Sequence, residues 1–117
     1  MLTMHALTPE TIERSLPFYE AFRRDIAVPY PQLFREPGSD HYLSAWRAIL
    51  QMKMGAVFVL EDDGRDVGTI LGTLTPDLFD GALVATEHAW YVHPEATGSG
   101  AGRILLNVFE NWARSRG

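Results

Sequence analysis

The sequence contains no cysteine, which excludes disulfide bonds, thiolate metal sites and a cysteine nucleophile. It has no apolar run approaching the ~20 residues that span a bilayer, and the first ten residues, MLTMHALTPE, lack the apolar core of a signal peptide. These absences predict a soluble protein in a reducing, cytoplasmic setting, with no membrane partner.

Basic residues are scarce and scattered. The 117 residues include 10 Lys and Arg against 15 Asp and Glu, so the formal net charge is −5. Because the sequence has no cluster of Lys and Arg that could contact a phosphate backbone, a nucleic acid is not expected as a partner. The length and the 46% hydrophobic content predict one domain over residues 1–117, large enough for a core of its own.

Several catalytic and nucleotide-binding motifs are also missing. No pair of His or carboxylate residues shows ligand spacing on one element, so no metal site is expected. There is no G-x-S-x-G frame for a serine hydrolase and no Lys-Ser or Lys-Thr pair for a Walker A loop. The dinucleotide fingerprint GxGxxG fails because Arg103 and Leu105 occupy its last position in the two available frames.

What the chain does contain is a strand, a glycine loop and a helix in the stretch from Trp90 to Trp112, WYVHPEATGSGAGRILLNVFENW. The strand breaks at Pro94, and glycines recur at alternate positions before the helix. The first N–H groups of a helix have no internal partner and lie at the positive end of its dipole. This junction therefore predicts an anion site, the alternative being a glycine-rich turn that binds nothing.

The N-terminal half predicts a short strand followed by two helices. The first helix is expected to start at Thr8-Pro9-Glu10, and Pro17 to bend or restart it. An apolar loop from Ala27 to Gly38 follows, and then a helix from Asp40 to Met54 that Gly55 would end in a left-handed conformation.

The second half predicts three strands and a helix. The strands are expected over Ala56 to Leu60, Val67 to Leu74 and Leu83 to Val92, with a turn at Asp62-Asp63-Gly64-Arg65. The last helix places Ile104, Leu105, Val108, Phe109 and Trp112 on one apolar face. The fold class is therefore α/β in layers, a mixed, mainly antiparallel sheet flanked by helices in the order β-α-α-β-β-β-α.

The loop sequence V-x-P-x-x-x-G-x-G-x-G followed by R-x-L-L, from Val92 to Leu106, resembles the acetyl-coenzyme A loop of the GNAT-type N-acetyltransferase superfamily. The resemblance implies acetyl-coenzyme A as cosubstrate, with no metal. It implies these cofactor-binding residues: Tyr91 and Val92 along the pantetheine arm, and Thr97, Gly98, Ser99, Gly100, Ala101, Gly102 and Arg103 around the pyrophosphate. Thr97 stands where the family usually has Arg or Gln, so it offers only a hydroxyl.

The same resemblance implies transfer of an acetyl group to a primary amine of a small molecule or peptide, by direct attack. Because such an amine is protonated at neutral pH, a base is needed. The family often has a Glu at this point of the strand, which makes Glu87 the candidate catalytic base and His88 the alternative. Without a bulge, strand parity puts Glu87 with Ala89 and Tyr91, and His88 with Trp90; a bulge is common in this strand of the family.

In the family, the segment that joins the first two helices borders the acceptor pocket, so Tyr30 and Phe34 are candidates for substrate contact. The resemblance implies that the chain corresponds to the N-terminal two-thirds of that fold and that the C-terminal strands are missing. We therefore expect further chain, or a second copy in a homodimer, to cover the open edge of the fourth strand. The 117-residue chain alone is expected to be a poor catalyst.

Two other functions fit the same residues. One is a non-catalytic acyl-coenzyme A binding or regulatory module of the same fold. The other is a structural interaction domain in which the glycine loop binds no cofactor. Binding and turnover measurements separate these alternatives from an enzyme.

Overall fold

A computed structural model describes residues 1–27 and 38–116 of the chain. The elements are β1 (Leu2–Ala6), α1 (Leu16–Ala27), α2 (Ser39–Gln51), β2 (Gly55–Asp62), β3 (Arg65–Pro76), β4 (Leu83–Val92) and α3 (Ala101–Ser115), with short 3-10 helices at Ile12–Ser15 and Pro94–Ala96. The predicted order of strands and helices is confirmed. The predicted substrate contacts Tyr30 and Phe34 lie outside the described residues.

The strands form one sheet in the order β1-β2-β3-β4, in which every neighbouring pair is antiparallel. The β2–β3 hairpin turns through Asp63 and Gly64, whose φ angles are +50° and +84°. Two successive positive φ values match the twist of a tight hairpin. The turn predicted at Asp62 to Arg65 is therefore confirmed.

Helices cover both faces of this sheet, so the core has two halves. On the α1/α2 face the buried cluster contains Leu7, Ile12, Phe18, Tyr42, Trp46, Val57, Val59, Leu71 and Ala89. On the α3 face it contains Ala56, Phe58, Leu60, Val67, Ile70, Ala101, Leu105 and Phe109. Successive residues of β2 alternate between the two clusters, which explains why this strand is apolar throughout.

The first helix begins later than predicted. The amide of Thr11 donates to the carbonyl of Thr8, and the amide of Thr8 donates to the Thr11 hydroxyl, so residues 8–11 close a turn before the 3-10 helix. The predicted start at Thr8 is therefore wrong. The predicted restart is confirmed, because α1 begins at Leu16 with Pro17 in its first turn.

The second helix ends earlier than predicted. Lys53, with φ +58°, takes the left-handed position, and the amide of Met54 donates to the carbonyl of Ile49. This pair of features ends the helix before Gly55 is reached. The predicted left-handed stop at Gly55 is wrong, and Gly55 is instead the first residue of β2.

β4 differs from the other strands in two ways that matter for the site. Its pairing passes from Leu71↔Ala89 to Gly72↔Glu87, so His88 is the extra residue of a β-bulge. Within the described residues β4 pairs with β3 alone, so its other edge is unpaired there. Among the described helices, none has the length and apolar character needed to cross a membrane.

Candidate functional site

The glycine loop leaves the sheet immediately after β4. The amide of His93 makes the last bond to β3, at the carbonyl of Val67, and the 3-10 helix Pro94–Ala96 follows. Both the amide and the hydroxyl of Ser99 donate to the carbonyl of Ala96, at 3.2 and 2.6 Å. The Thr97 hydroxyl donates back to the carbonyl of His93 at 3.4 Å. These internal bonds give the loop a defined shape before α3 begins.

Two glycines in this loop have left-handed backbone conformations. The φ angle is +90° at Gly98 and +89° at Gly100, the residue that caps α3, and a Cβ at either position would meet nothing within 4 Å. Only glycine adopts such angles at little cost. The backbone of this loop is therefore open to close approach by a ligand.

Amides at the start of α3 are available for a ligand. Ile104 donates to the carbonyl of Gly100, and Ala101 makes a 3.4 Å contact with the Ser99 hydroxyl. Within the described ranges, the amides of Gly98, Gly100, Gly102 and Arg103 donate to no protein acceptor. Free N–H groups at the positive end of a helix dipole bind phosphate well. Ser99 was also predicted to bind the pyrophosphate, but its amide already donates to the carbonyl of Ala96 within the loop.

An ion pair ties the loop to the tip of the β2–β3 hairpin. The Arg65 guanidinium donates to the Glu95 carboxylate on the protein surface. A backbone hydrogen bond within Glu95 and the charge of Arg65 hold the pKa of this carboxyl below its ordinary value. Glu95 therefore stays ionised against Arg65 at neutral pH.

The predicted pantetheine contacts lie side by side on β4 but face opposite ways. The Tyr91 ring packs against α1, with its centroid 6.3 Å from Phe18, and burial chiefly raises the pKa of its hydroxyl. Val92 packs on the α3 face. Because β4 is an edge strand, one row of its backbone groups points away from β3. These backbone groups can bind an extended amide-containing arm.

Trp90 lies next to the glycine loop and was not among the predicted site residues. Its side chain is 41% exposed, and a Cβ on Gly102 would lie 3.7 Å from its Cζ2 atom. Trp90 has the same strand parity as Val92, which is the sequence signal that could have found it.

The bulge reverses the faces that unbroken parity gives to Glu87 and His88. Glu87 pairs with Gly72, whose face of the sheet is packed by Phe109 of α3. The Glu87 side chain is exposed and lines a groove of about 320 Å³ between β4 and α3. His88 instead joins Ala89 on the α1/α2 face. The two candidate bases therefore lie on opposite faces of the sheet.

On the α1/α2 face, side chains from both helices lie beside His88, whose own side chain is exposed. We call this cavity of about 180 Å³ the aromatic cup; it is lined by Tyr19, Phe22, Tyr42, Trp46, Leu71, His88 and Ala89. Tyr19 stacks on Tyr42 at 4.2 Å, and Trp46 meets the His88 ring edge-on at 5.7 Å. Burial raises the pKa of Tyr42 to about 12, and its hydroxyl is bonded to that of Ser15 at 2.6 Å.

Metal ligation has no structural basis in the described part of the chain. No group of three or more His, Asp or Glu residues is arranged there to hold an ion.

Comparison with known proteins gives consistent results. The profile of the acetyltransferase (GNAT) family matches residues 15–117. An aminoglycoside N(6')-acetyltransferase type 1 from Stenotrophomonas maltophilia is 35% identical over 85 residues, which is 69% of this chain and 56% of that protein. The chain thus spans a little over half the length of this curated relative.

Solved structures share the fold. A GCN5-related N-acetyltransferase from Ralstonia eutropha JMP134 superimposes with a TM-score of 0.77 at 17% identity, covering 99% of this chain and 78% of that one. AAC(6')-Iy, in complex with the bisubstrate analogue CoA-S-monomethyl-acetylneamine, superimposes with a TM-score of 0.71 at 18% identity, covering 99% and 74%. At these identities the likeness concerns the fold alone.

Proposed function

The chain belongs to the acetyltransferase (GNAT) family, and from that membership we propose that it transfers an acetyl group from acetyl-coenzyme A to a primary amine of a small molecule. The observation that carries the proposal is the glycine loop at the end of β4, with left-handed Gly98 and Gly100 and unbonded amides at the start of α3. A cytoplasmic setting, where acetyl-coenzyme A is made, suits a chain without cysteine.

The residues present fit the cosubstrate. Amides of Gly98, Gly100, Gly102 and Arg103 would bind the pyrophosphate, because a Cβ is missing where the phosphate must approach. The outward backbone groups of β4 near Tyr91 and Val92 would orient the pantetheine arm. Acetyl-coenzyme A supplies the activated acyl group as a thioester. Thr97 adds no charge, so backbone contacts would provide most of the affinity.

The protein must also accept a proton from the amine. Formation of the amide bond releases one proton from the nitrogen, and breaking the carbon–sulfur bond requires one proton for the thiolate. Glu87 and His88 are the candidate bases, and they lie on opposite faces of the sheet. The face from which the amine approaches therefore selects between them.

A non-catalytic acyl-coenzyme A binding module is the second candidate. Its support is Thr97, which replaces a charged or amide side chain of the family, together with the position of Glu87 on the face opposite the aromatic cup. Such a module would bind the cosubstrate without acetylating an amine.

Calorimetry with acetyl-coenzyme A, followed by turnover on a panel of amines, tests the proposal. The panel should contain aminoglycosides, because a relative is named for them, together with simple monoamines and a peptide amine. Binding in the micromolar range with acetylation supports the enzyme. Binding without acetylation supports the module, and no binding rejects both.

A further inference from the structure

The aromatic cup has the size of one ring. Its volume is about 180 Å³, whereas an apolar protein cavity of about 150 Å³ is sufficient to hold benzene. The cup is described on the sides formed by α1, α2, β3 and β4, since residues 28–37 between the two helices lie outside the described ranges. The part of the cup that these elements form therefore has room for one flat or compact apolar group.

The lining of the cup favours an apolar body with one positive charge. Rings of Tyr19, Phe22, Tyr42 and Trp46 are present, and no carboxylate lines the cup among the described residues. The face of an aromatic ring attracts a cation that lies within about 6 Å of the ring centre. A ligand with several ammonium groups would lose the hydration of each charge and gain no anionic partner from the described lining.

His88 provides a polar group at the wall of this cup. Its Nε2 atom lies 2.9 Å from the Thr73 hydroxyl, and Trp46 packs against the ring. When Nε2–H donates to Thr73, Nδ1 is the unprotonated nitrogen and can accept a proton. Thr73 is thus a positioning residue that holds Nε2; its hydroxyl can donate or accept, and the reactive tautomer is the one in which it accepts from Nε2–H.

The cup and the glycine loop are connected by β4. His88 precedes Val92, the last residue of the strand, by four positions, which corresponds to roughly 13 Å of extended chain. A pantetheine arm held at the loop and extended along the outer edge of β4 would reach the bulge. The reactive end of the cosubstrate and the cup would then lie together.

We propose that the aromatic cup binds the acceptor, that the acceptor is a primary amine carried on one ring-sized apolar or aromatic group, and that His88 is its base. This inference rests on the proposed function and chooses between its two candidate bases. The amine nitrogen forms a bond to the acetyl carbon and the carbon–sulfur bond breaks. The bound ammonium loses one proton through Nδ1 of His88 to solvent before the attack, Nδ1 takes the second proton from nitrogen as the amide forms, and His88 returns that proton to the coenzyme A thiolate, which leaves as the thiol.

Binding can be tested without acetyl-coenzyme A, by NMR titration of the protein with phenethylamine. We expect the ring signals of His88 and the indole signal of Trp46 to shift, while those of exposed His41 stay in place. Kanamycin, a polyamine, should bind at least about tenfold more weakly. Trp46→Leu should weaken phenethylamine binding at least about tenfold, whereas the matched variant Trp112→Leu, on the opposite face, should change it less than about twofold.

The turnover number and the tautomer of His88 test its role as base independently of amine binding. His88→Gln should lower kcat about a hundredfold or more while the calorimetric affinity for acetyl-coenzyme A is unchanged, and Glu87→Gln should lower kcat by less than about threefold. Thr73→Val should change the His88 tautomer, seen in its ¹⁵N shifts, and lower kcat without altering the acetyl-coenzyme A affinity.

The proposal is overturned if saturating phenethylamine leaves the His88 signals in place, if kanamycin binds more tightly than phenethylamine, or if Glu87→Gln costs more turnover than His88→Gln. Calorimetry on the same samples separates it from the proposed function. If the protein binds acetyl-coenzyme A and acetylates amines but the His88 and Trp46 signals do not shift, the cup is not the acceptor site and the proposed function still holds. Amine binding in the cup without acetyl-coenzyme A binding would reject the function.

Discussion

At the scale of single residues, the glycine loop depends on backbone angles that other residues adopt poorly. Gly100→Val would place a branched side chain at φ +89°, where strain is of the order of 1–3 kcal/mol. We expect acetyl-coenzyme A affinity to fall at least about tenfold, equivalent to about 1.4 kcal/mol. Calorimetry measures the loss, and circular dichroism checks that the variant is folded.

Thr97→Ala is the matched control for that substitution. Its hydroxyl bonds the His93 carbonyl at 3.4 Å within the loop, and its removal leaves the amides unchanged. We expect a loss in affinity below about threefold, because the net worth of one such hydrogen bond is about 0.5 kcal/mol at the weak end. Equal losses in the two variants would contradict binding through the backbone.

At the scale of elements, the contact between α3 and the sheet requires a glycine in β3. A Cβ on Gly72 would lie 2.4 Å from Cζ of Phe109 and 2.4 Å from the carbonyl oxygen of Thr86. Since the backbone oxygen cannot move without disturbing the β3–β4 pairing, Gly72→Ala should destabilise the protein by about 1–3 kcal/mol. Urea unfolding measures this.

Gly102→Ala controls for the loss of a glycine as such. Its Cβ would lie 3.7 Å from Trp90, an ordinary contact, and Gly102 is in α3. Alanine favours a helix over glycine by up to about 1 kcal/mol. The urea midpoint should stay the same or rise, and a fall as large as that of Gly72→Ala would contradict the steric explanation.

A network of charged groups joins the 3-10 helix before α1 to the β2–β3 hairpin. Arg14 donates to Asp66 at 2.7 and 2.9 Å and to Glu61 at 2.8 Å. Arg14, and after it His5, lowers the pKa of Glu61. A carboxyl whose pKa is lower in the folded chain stabilises the fold above its unfolded value of about 4.3, and this stability is lost as the pH falls below it.

Arg14→Met should therefore lower the melting temperature at pH 7 and make it fall less steeply on acidification from about pH 5 to pH 3, in the range where glutamates titrate. Arg114→Met removes an exposed pair with Glu110 at 3.5 Å and should leave the acid limb unchanged. Thermal unfolding across this pH range measures both. Parallel curves for Arg14→Met and the unchanged protein would disprove the role of the network.

At the scale of the whole molecule, the outer edge of β4 is a surface open to association. Leu83 and Val84 are 47% and 42% exposed, and in the described chain β4 has β3 as its one neighbour. Unpaired, apolar strand edges tend to pair with another strand. We expect light scattering to give a mass near twice the 13.1 kDa of the chain at high concentration.

Val84→Lys should abolish that association, because a charge on an edge strand opposes pairing. Leu78→Lys is the control, since this residue is 96% exposed in the loop before β4. A chain that stays monomeric at every concentration would exclude the homodimer.

The sequence by itself determined the order of elements, the hairpin turn and the glycine loop. Each of these follows from local physics: the apolar period of α3, the positive φ that Gly64, Gly98 and Gly100 tolerate, and the break at Pro94. The predicted end of α2 was wrong, because Lys53 adopts a left-handed conformation that lysine seldom takes.

Only the tertiary structure decided which residues share a site. The bulge at His88 arises from the pairing of β3 with β4, and it moves Glu87 and His88 to the faces opposite those that parity gives them. The aromatic cup joins Tyr19, Trp46 and His88 from α1, α2 and β4, residues far apart in the chain. Helical spacing indicates that such rings face inward, but it cannot say which strand residue they meet, because that depends on strand register and layer packing.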